Sequence, residues 1–311
     1  KQVVIVKGGP GTGKSVVAVN LLVELTRRGQ LTKYVSKNAA PRAVYKQKLA
    51  GHLRQVEIGN LFAGSGGFHE TQANVFDTLL VDEAHRLNEK SGLYGNLGQN
   101  QIMELIRSTR CTVFFADDDQ IVTLSDIGRA EELERWAHAA GAEVTRLELA
   151  SQFRCAGSDG YIAWLDNFLG IRESANTDFD RGSFDFRIVD SPVELHNLIR
   201  EKNKLNNKAR VVAGYCWDWN SRKDPDAWDI EIPEYGYKAQ WNLDKDGSLW
   251  IIAPDSVEQV GCIHTCQGLE LDYVGVIIGP DLRWVDGKPT VSPESRSRMD
   301  RSVRGYKTLM K

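Results

Sequence analysis

Eight residues, Gly8-Gly9-Pro10-Gly11-Thr12-Gly13-Lys14-Ser15, constrain this chain more than any others, because they match G-x-x-x-x-G-K-[ST] at every position. Gln2 to Lys7 ahead of them reads as a buried strand, and Lys14 to Arg28 behind them reads as a helix. In that setting the segment is a phosphate-binding loop rather than a plain glycine-rich turn. Glycines let successive backbone N–H groups point at phosphate oxygens, and the helix N-terminus adds partial positive charge. Lys14 is expected to reach the β/γ-phosphates of ATP or another NTP, and the Ser15 hydroxyl to ligate Mg²⁺.

Asp82-Glu83-Ala84-His85 follows the apolar run Leu79-Leu80-Val81. An aspartate at such a strand end is expected to hold Mg²⁺ with Ser15. Glu83 beside it is the candidate to orient and deprotonate an attacking water. The plainer alternative is a strand end with solvated acids.

The first half alternates strand and helix. Strands are expected at Gln2–Lys7, Lys33–Ser36, Asp77–Val81, Cys111–Ala116 and Glu143–Leu149, and helices at Lys14–Arg28, Ala40–Ala50, Gln99–Ser108 and Arg129–Ala140. Short apolar runs flanked by amphipathic helices imply an α/β fold with a parallel sheet covered on both faces. Both motifs then lie at C-terminal strand ends, where open α/β sheets bind ligands. In the second half, helices are expected at Ser158–Leu169 and Val193–Asn203, and strands at Phe184–Val189, Ala209–Tyr215, Gly261–Thr265 and Asp272–Ile278. Residues 217 to 250 differ in texture and hold Trp217, Trp219, Trp228, Trp241 and Trp250, five of the eight tryptophans. Strand-like runs at Trp228–Ile232, Tyr237–Leu243 and Leu249–Ala253 suggest a β-hairpin insertion. Alternating tryptophans more often form one buried face than a base-stacking platform.

A chain of 311 residues makes one large domain or two ordinary ones. No apolar run of about 18 residues exists to span a membrane, and no signal peptide is visible. Five cysteines, an odd and sparse count, suggest reduced thiols and a cytoplasmic setting. Net charge is −3, which argues against a generic nucleic-acid binder, yet residues 25 to 56 hold eight Lys or Arg and no acid. That stretch is either a solvated face or a track for a phosphate backbone.

Three further segments are polar in telling places. Asp117-Asp118-Asp119-Gln120 ends a strand, and three adjacent carboxylates need a cation, donors or water nearby. Arg154 falls at the junction between halves, where it could reach a γ-phosphate or form a surface ion pair. Gln267, Gly268 and Glu270 lie on a connector between two strands. Cys262, His264 and Cys266 lack a fourth ligand at zinc spacing.

Together these segments resemble a superfamily 1 helicase motor. Gly8–Ser15 is similar to its motif I and Asp82–His85 to motif II. Ala116–Gln120 resembles the G-D-x-x-Q of motif III, with alanine replacing glycine, and Ser36–Ala40 resembles the strand-contacting motif Ia. Gln152-Phe153-Arg154 resembles motif IV, which implies that Arg154 senses the γ-phosphate. Gln267–Glu270 resembles motif V, which implies that Glu270 contacts the ribose. More closely, the chain resembles domain-of-unknown-function family 2075, helicase-like and related to the helicase part of Schlafen proteins, through Asp82–Asn88, Ser151–Gly160 and Gly214–Trp219. The resemblance implies two RecA-like parallel-sheet domains, residues 1–150 and 151–311, the second carrying the Trp-rich β-hairpin insertion. It also departs from the pattern. No motif VI arginine is recognisable, Arg301 and Arg304 being poor substitutes, so the chain is expected to stop short of it. No adenine-contacting glutamine precedes the loop.

The expected activity is NTP hydrolysis coupled to binding of, or movement along, single-stranded DNA or RNA. Lys14, Glu83, Gln120 and Arg154 would serve catalysis. A fused or associated nuclease or effector domain is a further expected partner. The competing readings are a nucleotide-gated switch or scaffold in a defence or toxin assembly, and a small-molecule kinase. No arginine-rich lid favours the kinase.

Overall fold

The computed structural model describes the chain except residues 52, 53, 93, 94, 122, 152–158, 174–177, 179–183, 243–246, 267, 301, 304, 310 and 311. Two compact units result: residues 1–167 with 171–184, and residues 168–170 with 185–311.

In the first unit, β1 (Gln2–Gly8), α1 (Lys14–Arg27), β2 (Thr32–Ser36), α2 (Ala39–Leu49), α3 (Gln55–Leu61), β3 (Phe62–Ala63), β4 (Phe76–Asp82), α4 (Gln101–Ser108), β5 (Thr109–Ala116), α5 (Ala130–Ala139) and β6 (Glu143–Leu149) follow one another. The six strands form one sheet in the order β3-β2-β4-β5-β1-β6, parallel throughout. Side chains alternate across it as strand geometry requires. Val3, Ile5, Leu79, Val81 and Phe114 face the core beneath α4 and α5. Val6, Leu80, Val113 and Phe115 face α1 on the other side. Burial on both faces explains why these strands read as unbroken apolar runs. The short α3–β3 pair has no comparable sequence signal; Ile58 and Phe62 pack it against Tyr34 and Leu80.

The sheet order fixes the site. Gly8 ends β1, Ala116 ends β5 beside it, and Asp82 ends β4 next in line. All three carry their loops at the same edge because the strands are parallel.

α6 (Asp159–Phe168) follows. In the second unit, α7 (Pro192–Asn203) covers a parallel three-stranded sheet, β10-β7-β11, made of β7 (Ala209–Ala213), β10 (Val260–Cys262) and β11 (Tyr273–Ile277). Between β7 and β10, β8 (Ile230–Ile232) and β9 (Tyr237–Ala239) pair antiparallel. Trp219, Trp241 and Trp250 are buried, while Trp228 is exposed. A second hairpin, β12 (Leu282–Val285) with β13 (Lys288–Val291), follows β11.

Three sequence expectations are corrected here. Phe184–Val189 forms no strand: Asp185 and Arg187 pair with each other at 2.8 Å and Ile188 is exposed. Leu249–Ala253 lies within and after a 3-10 helix, Gly247–Ile252. Trp250 and Ile251, adjacent in sequence, are both buried, which a one-faced strand cannot arrange. Gly261–Thr265 is strand only to Cys262, and Ile263–Cys266 is α8. Asn242 Oδ1 accepts from both Cys262 N and the Thr265 hydroxyl at 3.1 Å, pinning that change of direction.

Candidate active site

The loop after β1 turns through Gly11 and Gly13, whose φ values of 81° and 86° lie in the left-handed region open to glycine. Gly8 is needed for space: a Cβ there would lie 2.4 Å from Thr12 Oγ1. Thr12 Oγ1 donates to Gly9 O at 3.0 Å. Lys14, at the start of α1, curls its ammonium back over the loop and donates to Gly8 O and Gly9 O at 2.6 and 2.8 Å.

Ser15 Oγ donates to Asp82 Oδ2 at 2.7 Å, so the hydroxyl and the carboxylate expected to share a cation already meet. The Tyr34 hydroxyl donates to the same oxygen at 2.6 Å, and Glu83 N donates to Oδ1 at 3.0 Å. Burial, reinforced by the charge of Glu83, pushes the Asp82 carboxyl above its ordinary range despite those donors. A buried carboxylate raised in this way favours an added cation. One carboxylate and one hydroxyl suit Mg²⁺, which keeps several waters and takes phosphate oxygens besides. The residues present therefore fit that ion. Among the described residues no group of three or more His, Cys, Asp or Glu is arranged to hold a metal. The His264 side chain lies outside the described residues.

Glu83 departs from the strand into a left-handed conformation, φ 54°, uncommon for a residue with a side chain. Its Oε2 lies 3.2 Å from His85 Nε2. The pair is close but does not meet hydrogen-bond geometry. Burial pushes the Glu83 carboxyl upward, but His85, Lys14 and Arg86 outweigh it and hold the group below its ordinary value. His85 is fully buried. Its Nδ1 accepts from Asp117 N at 3.2 Å, which assigns the proton to Nε2, facing Glu83.

The three carboxylates after β5 each find a cation. Asp117 faces Lys14 at 3.6 Å, Asp118 faces Lys7 at 2.8 Å, and Asp119 pairs with Arg172. Gln120 Nε2 donates to Asp117 Oδ2 at 2.9 Å.

Behind this cluster, Lys37 donates to Asn88 Oδ1 at 2.8 Å and Asp126 Oδ1 at 3.1 Å, and Arg86 Nε donates to Asp126 Oδ2 at 2.9 Å. Gly128 lies against the chain at Ala84, where a Cβ would fall 1.8 Å from Ala84 O.

Gly8 through Ser15, Asp82, Glu83 and Gln120 thus come together at one edge of the first sheet. Gly268, with φ 77°, and the exposed Glu270 belong to the second unit. Arg154 and Gln267 lie outside the described residues, as do Gln152, Phe153, Arg301 and Arg304. Sequence reasoning missed Tyr34, His85 and Asp117 as members of the cluster. Only the crowding of three carboxylates hinted at Asp117.

The profile of the Schlafen group 3, DNA/RNA helicase domain matches residues 1–311. The chain belongs to this family. An uncharacterized protein of Saccharomyces cerevisiae is 22% identical over 317 residues, an overlap covering 88% of this Schlafen-type chain and 67% of the yeast protein. Among solved structures, the Pyrococcus furiosus Hef helicase domain is similar with a TM-score of 0.28 and 12% identity, over 47% of this chain and 34% of that one. A DNA replication initiation factor gives 0.27 and 15%, over 67% and 59%. AMPPCP-bound DnaA from Aquifex aeolicus gives 0.26 and 15%, over 65% and 55%. The chain spans between a third and three fifths of those solved chains. Likenesses this remote assign no residue a role. Among the described residues no helix is long and apolar enough to cross a membrane.

Proposed function

We propose that this Schlafen-family helicase domain is a Mg²⁺-dependent NTP hydrolase of superfamily 1 type, coupling hydrolysis to binding of or movement along single-stranded nucleic acid. The observation that carries the reading is the Ser15–Asp82 contact at 2.7 Å, with Glu83 next in the chain. It brings the expected cation ligands and the expected base together at the mouth of the phosphate loop.

In this reading the loop N–H groups bind the phosphates, and Lys14 leaves its carbonyl partners to meet negative charge. Ser15 and Asp82 hold Mg²⁺, which when bound neutralises charge on phosphate oxygens. Glu83, kept ionised by His85 and Lys14, accepts a proton from water. Gln120, tied to Asp117, reports the state of the loop to the rest of the domain. Arg154 offsets charge developing at the γ-phosphate, and Gln267, Gly268 and Glu270 contact the nucleotide. The fold reading is two RecA-like domains, residues 1–150 and 151–311, with a Trp-rich hairpin insertion in the second. The acid-free basic stretch of residues 25 to 56 supports a strand track, although Lys37 within it is engaged by Asp126.

The test is Mg²⁺-dependent phosphate release at low salt, with and without single-stranded DNA or RNA, and with Glu83→Gln as control. Strand-stimulated turnover lost in the control supports the reading. Turnover indifferent to both polymers removes the coupling and leaves a nucleotide-gated switch.

A further inference from the structure

The buried ammonium of Lys14 has an anion of its own. Two of its neighbours are carbonyls of the loop, Gly8 O at 2.6 Å and Gly9 O at 2.8 Å. The third is Asp117 Oδ2 at 3.6 Å, and the side chains of the pair are only 7% and 4% exposed. An ammonium has three donors, and these three oxygens lie round it; Asp117 is the carboxylate in ion-pair contact, while Glu83 acts on it through its charge alone. Asp117 is held in place without help from Lys14. Its Oδ2 accepts from Gln120 Nε2 at 2.9 Å, its Oδ1 from Asp119 N at 3.2 Å, and its own N–H donates to His85. Unlike Asp118 and Asp119, whose cations are 50% and 63% exposed, Asp117 spends its charge inside the loop.

We infer that Asp117 is a placeholder anion: it occupies Lys14 until a nucleotide phosphate displaces it, and so sets nucleotide affinity. The inference rests on the nucleotide-binding reading above. A buried cation left without a partner is costly, so Asp117 stabilises the empty loop. The same charge opposes an incoming phosphate, because like charges repel strongly where water is excluded. Asp117 therefore exchanges affinity for stability of the free protein. Its backbone N–H supports the ring that faces Glu83, so the residue displaced from the lysine also touches the support of the proposed base.

Asp117→Asn removes the charge; its one amide oxygen can still accept from Asp119 N, while its NH2 faces Gln120, whose own amide must turn its oxygen to meet it. Binding of the β,γ-imido analogue of ATP with Mg²⁺ is followed by calorimetry, and melting is followed with and without the analogue. The free variant should melt below wild type, bind the analogue about threefold or more tighter, and gain more from it in melting temperature. A purely structural Asp117 predicts weaker or equal binding, and that result overturns the inference. Should the variant not fold alone, the analogue should rescue folding; no rescue also overturns it. Lys14→Ala separates the two claims. If wild-type binding does not need Lys14, the nucleotide reading fails and the placeholder role with it. If binding needs Lys14 but Asp117→Asn does not tighten it, the placeholder role alone fails.

Discussion

Tyr34 donates its hydroxyl to Asp82 Oδ2 at 2.6 Å from inside the core, and that oxygen also accepts from Ser15 at 2.7 Å. Serine can turn towards a cation; the tyrosine, packed against Tyr45 and Phe62, remains to hold the carboxylate. Burial first, and the Asp82 charge second, push the Tyr34 phenol far above its ordinary value, so it stays a donor. Tyr34→Phe should therefore destabilise the first unit by about 1.5–3 kcal/mol, the range for a hydrogen bond to a charged group. Urea unfolding measures this, and an unchanged midpoint would show that the bond contributes nothing.

Glu83→Gln keeps the size and the left-handed backbone of Glu83 but removes the base. Turnover should fall by about 10²–10⁴, the usual weight of general base catalysis, while nucleotide binding is kept. Equal turnover in the variant would assign water activation elsewhere.

Gly128→Ala tests how rigidly the Asp82–His85 segment is held. The added Cβ would lie 1.8 Å from Ala84 O and 3.0 Å from His85 Cα, both backbone atoms that cannot rotate aside. Overpacking usually costs about 1–3 kcal/mol, and the upper end or more is expected here. Melting temperature and turnover should fall together. A variant with normal melting and normal turnover would mean that this loop is free to shift.

The first sheet was legible because β1, β4 and β5 are buried on both faces and read as apolar runs ending in Gly8, Asp82 and Ala116. The phosphate loop was legible from its spacing. His85 and Asp117 were not, since their roles depend on a contact between two strand ends distant in sequence. Lys37 fell within a basic stretch that read as either a solvated face or a strand track, because nothing local announces Asp126. The second unit was harder still. Strands were expected where its β8, β9 and β10 lie, but each is only three residues long, too short for a period to fix its ends, and the expected runs overshot them. Its tryptophans are sorted by tertiary packing, which buries Trp241 and exposes Trp228.

The second unit should lose stability just below neutral pH through His196. That ring is buried on α7, donates from Nε2 to Val257 O at 2.7 Å, and accepts at Nδ1 from the Tyr237 hydroxyl at 2.9 Å. Burial favours the neutral ring, and protonation would force the Tyr237 hydroxyl to turn and accept. Burial is the main cause that holds its pKa below the ordinary 6.5. A depressed value means the unfolded chain takes up the proton first. The stabilisation is therefore complete above 6.5 and is lost as pH falls from there through the folded value. Urea midpoints followed by tryptophan emission report this unit, which holds six of the eight tryptophans. The midpoint should decline below 6.5 in wild type and decline less in His196→Gln, which has no ring to protonate. Parallel declines in the two proteins would place the sensitivity in other groups.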